Sequence, residues 1–108
     1  QAVAEDFRRS RPRTDAELLA WYRETTAYIW ELSAYHLDKG FNYLGMCDGI
    51  TNHLVVPNRP SVLCLGDGIG DLSLRCVDAG LRPIYHDLAG SRTAAFADYR
   101  ARRRFGHG

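Results

Sequence analysis

The stretch Leu65-Gly66-Asp67-Gly68-Ile69-Gly70 limits the fold of this chain more than any other. It follows the apolar run Ser61-Val62-Leu63-Cys64-Leu65 without a spacer, and a helical pattern starts at once with Asp71. A strand that turns directly into a helix forces the chain through a tight bend, where glycine takes positive φ without steric cost. Such a turn also exposes amides at the helix N-terminus and keeps side chains clear, so a polar or anionic ligand can approach the main chain. The run before it reads as a parallel strand buried on both faces.

The pattern continues with the same punctuation. Asp71 to Ala79 reads as a helix with Leu72, Leu74, Cys76 and Val77 apolar, and Gly80 ends it. Arg82-Pro83-Ile84-Tyr85-His86-Asp87 reads as a second strand, with Pro83 near its start where a missing amide is tolerated. Ser91 caps a last helix carrying Ala94, Ala95, Phe96 and Tyr99. This half is therefore β-α-β-α, and a crossover of that length implies parallel, right-handed pairing. The second strand ends in Asp87, 21 residues beyond Gly66. In a nucleotide-binding crossover, an acid there is placed to accept from both ribose hydroxyls.

The first half has a different texture. Residues 1–13 are Arg-rich, interrupted by Pro12, and read as a flexible arm that Phe7 could anchor. Thr14-Asp15-Ala16-Glu17 has the form of a capping box, with Glu17 reaching back to the Thr14 amide. A single long helix is expected from there to about Asp38, closed by Lys39 and a C-cap Gly40. At 100° per residue Leu18, Tyr22, Ile29, Leu32 and His36 share a stripe, with aromatics on its flanks, so this helix should be mostly buried. Phe41 to Met46 fits a further helical turn, His53-Leu54-Val55-Val56 fits a helix end or a short strand, and Pro57-Asn58-Arg59-Pro60 is a break. Residues 14–58 thus form an N-terminal helical segment and residues 59–108 a half-domain built on the glycine turn.

Composition narrows the partners. A chain of 108 residues suggests one domain, and 45% hydrophobic with 25% charged residues is ordinary for a soluble globular protein. The net charge of +1 gives no electrostatic reason to expect nucleic acid or a membrane surface. Of the 14 basic side chains only Lys39 is a lysine. Cys47, Cys64 and Cys76 lack disulfide or zinc spacing, which fits a reducing cytoplasm. No apolar run reaches the ~20 residues needed to cross a bilayer. His53 and His86 have no acid or cysteine partner at ligand spacing, so no metal is expected. His36 on its apolar stripe reads as a satisfied core histidine before a general base, and Arg100, Arg102, Arg103 and Arg104 read as an exposed helix face.

Two ligand classes compete for the turn. Dinucleotide folds use G-x-G-x-x-G, and the third glycine position counted from Gly66 is Asp71, an acid near where a pyrophosphate would lie. The G-x-G-x-G of this chain resembles instead the first motif of the class I S-adenosylmethionine-dependent methyltransferases. "VLCLGDGIGDLSLRCVDAGLRPIYHDLAG" is similar to their pattern of strand, glycine turn, helix, glycine and strand ending in Asp; "FADYRARRRFG" and, more weakly, "YIWELSAYHLD" are similar to segments that flank that core. The resemblance implies a cofactor loop of Gly66, Asp67, Gly68, Ile69 and Gly70, ribose binding by Asp87, and Leu88 near the adenine. It also implies an acid in the first strand at the position of Cys64, which this chain lacks, with Asp67 three residues on as the available substitute. No motif encodes the methyl acceptor or a catalytic base.

The fold expected is α/β, a partial Rossmann-like βαβα unit of parallel strands preceded by a long N-terminal helical segment. The resembled fold has seven strands and this chain supplies two, so the sheet is expected to be completed by further chain or by oligomerisation through Val62, Leu63 and Leu65, as in a homodimer joined edge to edge. The competing expectation is a non-enzymatic, self-associating module with a vestigial cofactor site; a nicotinamide or flavin binder ranks third.

Overall fold

The computed structural model describes residues 2–38, 40, 42–54 and 60–107. Lys39, Phe41, Val55 and Val56 and the Pro57-Asn58-Arg59 part of the expected break lie outside the described residues. The elements are α1 (Ala2–Ser10), α2 (Asp15–Glu24), α3 (Ala27–His36), α4 (Tyr43–Leu54), β1 (Ser61–Leu65), α5 (Asp71–Asp78), β2 (Arg82–His86) and α6 (Arg92–Phe105). Among the described residues the chain is thus a mixed helix and strand fold with one two-stranded parallel sheet, and no helix is long and apolar enough to cross a membrane.

The C-terminal half folds with the expected punctuation. β1 and β2 pair in parallel with Leu63 opposite Ile84 and Leu65 opposite His86. Period 2 turns Val62, Cys64, Pro83 and Tyr85 towards the helices, and buried Cys64 packs there with Cys76 of α5 and Leu81. Ser91 accepts from the Ala94 amide at 3.0 Å and opens α6.

Burial on both faces of β1 is the expectation that fails. On the other face Leu63, Leu65 and Ile84 are 56%, 69% and 53% exposed. Continuous hydrophobicity predicts that a strand can be buried twice; it does not supply the second layer.

The N-terminal half departs further from its sequence pattern. Residues 2–10 form α1 instead of a loose arm, and Asp6 attaches it. The Asp6 carboxylate accepts from Trp21 Nε1 at 2.8 Å and from the Thr25 hydroxyl at 2.7 Å, and Phe7 stands edge-on to the Trp21 ring. The same threonine splits the expected long helix. Thr25 leaves helical dihedrals (φ −69°, ψ 140°), and its hydroxyl accepts from the Ala27 amide at 3.1 Å, so α2 and α3 are separate helices. Side-chain hydroxyls that bond nearby amides compete with the helical ladder, and a Thr-Thr pair is where that competition succeeds. Thr14 caps α2 through the Glu17 amide as expected, but the Glu17 carboxylate accepts from the Arg13 amide and not from that of Thr14. α3 stops at His36, two residues before Asp38.

Candidate functional site

The glycine turn lies between β1 and α5, where the strand ladder ends and the helix begins. Gly66, Gly68 and Gly70 have φ of +60°, +56° and +88°, conformations that side chains rarely adopt. Two also face close neighbours: a Cβ on Gly68 would lie 3.0 Å from Leu32 Cδ1, and one on Gly70 would lie 3.2 Å from the Ala97 Cβ. Nothing lies within 4 Å of that point at Gly66. α3 and α6 therefore close over the turn from Gly68 onwards, and the approach to Gly66 stays clear.

Side chains from both halves satisfy the turn. The Gly66 amide donates to the His86 carbonyl at 2.7 Å, the last rung between the strands. The Gly68 amide donates to Asp87 Oδ2 at 2.8 Å, and its carbonyl accepts from the Tyr85 hydroxyl at 2.5 Å. Asp87 Oδ1 accepts from the Leu88 amide at 2.7 Å and from Tyr22 of α2 at 3.5 Å. Burial and the nearby Asp87 charge push the Tyr22 hydroxyl above its ordinary range, so it stays protonated as a donor.

The start of α5 is closed in the same way. Gly70 occupies the N-cap and has no side chain to cap with. Asp67, three residues earlier, does it instead, accepting from the Leu72 amide at 3.2 Å and the Ser73 amide at 2.7 Å. Burial pushes the Asp67 carboxyl above the ordinary range, partly offset by these bonds with α5, which favour the charged form. The Leu72 and Ser73 amides at the helix N-terminus are therefore taken by the chain's own carboxylate.

Beyond the turn, Asp71 is 5% exposed and engaged on both oxygens. Arg100 of α6 donates to Oδ1 at 2.9 Å and to the Ile69 carbonyl at 2.8 Å. His36 of α3 bonds Oδ2 through Nδ1 and stacks on Tyr43 of α4 at 3.8 Å between ring centres. Burial alone would raise the Asp71 carboxyl, but the His36 and Arg100 hydrogen bonds outweigh it and hold it below the ordinary range.

All seven residues singled out from sequence lie in and beside this turn, with different access. Gly66 is exposed and Asp87 and Leu88 are partly exposed, whereas Asp67, Gly68, Ile69 and Gly70 are buried. The Ile69 side chain belongs to the core, 3% exposed, and its carbonyl is held by Arg100. The surface a ligand can meet is thus the Gly66 main chain with Asp87 and Leu88. A cavity of about 570 Å³ lies elsewhere, between α5, β2 and α6, where Leu74, Leu81, Pro83, Ala97 and Phe105 line it; it reaches Gly70 and Tyr85 but not Gly66 or Asp87. Its volume suits a small molecule, but of the seven residues singled out from sequence only Gly70 lines it, so the turn remains the candidate.

The sequence reading missed Tyr22, Tyr85 and Arg100 as parts of the site. Their partners are 65, 17 and 29 residues away, and a single sequence has no local signal for such pairs. Among the described residues no group of three or more His, Cys, Asp and Glu side chains could hold a metal ion. Comparison of the chain with family models, with characterised proteins and with solved structures finds no match.

Proposed function

We propose that this chain carries the cofactor-binding half of an S-adenosylmethionine-dependent methyltransferase, built as a Rossmann-like βαβα unit. One observation carries the proposal: the Asp87 carboxylate stands at the C-terminal end of β2, one hydrogen bond from the middle glycine of the turn. That is where a parallel crossover offers an acceptor to a ribose.

The residues present fit such a ligand. A carboxylate has about four lone-pair positions, and Asp87 uses three, the Tyr22 contact being the longest at 3.5 Å. A ribose hydroxyl would take the fourth position or displace Tyr22. Gly66 offers main chain without obstruction, and Leu88 offers an apolar edge for a base. Asp67 supports this ligand over a dinucleotide. A pyrophosphate needs the helix N-terminal amides, and here a carboxylate already occupies those of Leu72 and Ser73. A ligand without phosphate, carrying a positive sulfonium, meets no such conflict.

When bound, S-adenosylmethionine supplies an electrophilic methyl group. The work of this chain is to bind and orient: Asp87 fixes the ribose, the Gly66 backbone lets the ligand approach, and Leu88 shields one side of the base. Calorimetry tests the proposal. S-adenosylhomocysteine and S-adenosylmethionine should bind and NAD should not, and Asp87→Ala should weaken both by about tenfold or more. Absence of heat with either at millimolar ligand, or equal binding of NAD, refutes it.

A second reading, a self-associating module without catalysis, is favoured by the bare sheet face of Leu63, Leu65 and Ile84. Sheets of parallel strands are normally covered on both sides, and a second copy stacked on this face would cover it. Sedimentation of wild type and Leu65→Glu decides it. A dimer that the substitution dissociates supports the module, and a wild-type monomer throughout the micromolar range removes it.

A further inference from the structure

We infer that Arg100 and His36, acting through Asp71, are positioning residues that hold the glycine turn in its ligand-ready shape. The inference rests on the cofactor reading for its consequence, though not for its structural test.

The need for a clamp follows from the turn itself. Glycine loses more backbone freedom on ordering than any other residue, and this turn contains three in five positions. Asp67 holds the turn to α5, and Asp87 and Tyr85 hold Gly68. The Asp67 carbonyl also accepts from the Gly70 amide at 2.9 Å, but neither set reaches the Ile69 carbonyl. Arg100 does, with Nη1 on the Ile69 carbonyl and Nη2 on Asp71. A guanidinium fork can hold a carbonyl and a carboxylate at a fixed spacing, whereas an ammonium is a single point donor.

His36 completes the arrangement from the opposite side. It is 7% exposed, bonds the second Asp71 oxygen and is backed by the Tyr43 ring. One carboxylate directly after the last glycine therefore receives α3 and α6 at once, and α4 through the stacked ring. Leu32, one helical turn before His36, covers Gly68. The N-terminal helices are thereby tied to the turn, and displacing them would release Gly68 and Asp71 together. The clamp also neutralises Asp71. With Asp67 turned into α5, Asp87 is left as the carboxylate of the turn that faces a ligand.

Two measurements on the intact chain test this. Arg100→Met keeps the side-chain stem and removes the fork, and Arg100→Lys keeps the charge and one contact. Amide hydrogen exchange without ligand should quicken about tenfold or more over residues 66–72 in Arg100→Met, while α1 and α2 keep wild-type rates. Affinity for S-adenosylhomocysteine, measured well below the unfolding temperature, should fall about tenfold in Arg100→Met and recover only in part in Arg100→Lys. Unchanged exchange in the turn overturns the inference, as does acceleration spread evenly over the chain. Full recovery of affinity by lysine would show that charge alone, and not the fork, is needed, and overturns it too. If wild type binds no S-adenosylhomocysteine, the cofactor reading fails and the exchange data alone judge the clamp. If Arg100→Met does not fold, Arg100→Lys carries both measurements, with quicker exchange at Ile69 to Asp71 expected and a wild-type pattern contradictory.

Discussion

Replacing Asp71 by alanine should cost more stability than any other single change at the turn. Its side chain is 7% exposed and uses both oxygens, one on Arg100 and one on His36. Removing one partner of a buried ion pair costs about 3–5 kcal/mol, because the charge left behind has lost its compensation. The Arg100 side chain is 28% exposed and can regain water, which places the loss near the lower end, about 3 kcal/mol. A domain of this size has about 5–15 kcal/mol in total, and each 1 kcal/mol moves the melting temperature by about 4–8 °C. Asp71→Ala should therefore melt about 12 °C or more below wild type. Asp71→Asn should lose less than Asp71→Ala, since an amide oxygen still accepts from Arg100, although it leaves the Arg100 charge without compensation. Urea unfolding followed by far-ultraviolet circular dichroism measures both. The pH dependence has a definite sign. Asp71 titrates below its ordinary 3.8, so its stabilisation is present above that value and is lost as pH falls through the lowered one. The gap between wild type and Asp71→Ala should close in strong acid. An Asp71→Ala protein within about 0.5 kcal/mol of wild type at neutral pH would refute the reasoning.

Three further outcomes follow from the same geometry. Gly66→Ala should cost about 1–2 kcal/mol for its positive φ alone, and Gly68→Ala should cost more because its Cβ also meets Leu32 at 3.0 Å. Equal losses in urea titrations, or no relief of the Gly68→Ala excess in the Leu32→Ala background, would show that α3 does not seal the turn. Asp67 has the opposite sign to Asp71: burial raises its carboxyl, so the folded chain gains stability by protonation at low pH and loses it as pH rises through the raised value. Acidification from neutral pH through the raised Asp67 value should favour wild type over Asp67→Ala, and identical profiles would contradict this.

How much of this was legible in the sequence depended on the range of the interactions. The β-α-β-α half was readable because its signals are local: an apolar run, a glycine turn, a serine cap and a strand-ending acid all lie within a few residues of the structure they set. The break at Thr25 was not, because the 100° stripe runs unbroken through it. What selects the break is Asp6, 19 residues earlier, which takes the threonine hydroxyl. Arg100 read as part of an exposed basic helix face for the same reason, since its partners Ile69 and Asp71 are distant in sequence. Leu63 and Leu65 read as buried because they are apolar, yet hydrophobicity records only what a residue can tolerate.

Nuclear magnetic resonance of the isotope-labelled chain, titrated with S-adenosylhomocysteine, tests the cofactor site most directly. Shifts of the Gly66, Gly68, Asp87 and Leu88 amides that saturate together, and vanish in Asp87→Ala, are the predicted result. Shifts confined to Leu74, Leu81 and Ala97 around the α5–β2–α6 cavity, or no shifts at millimolar ligand, would contradict it.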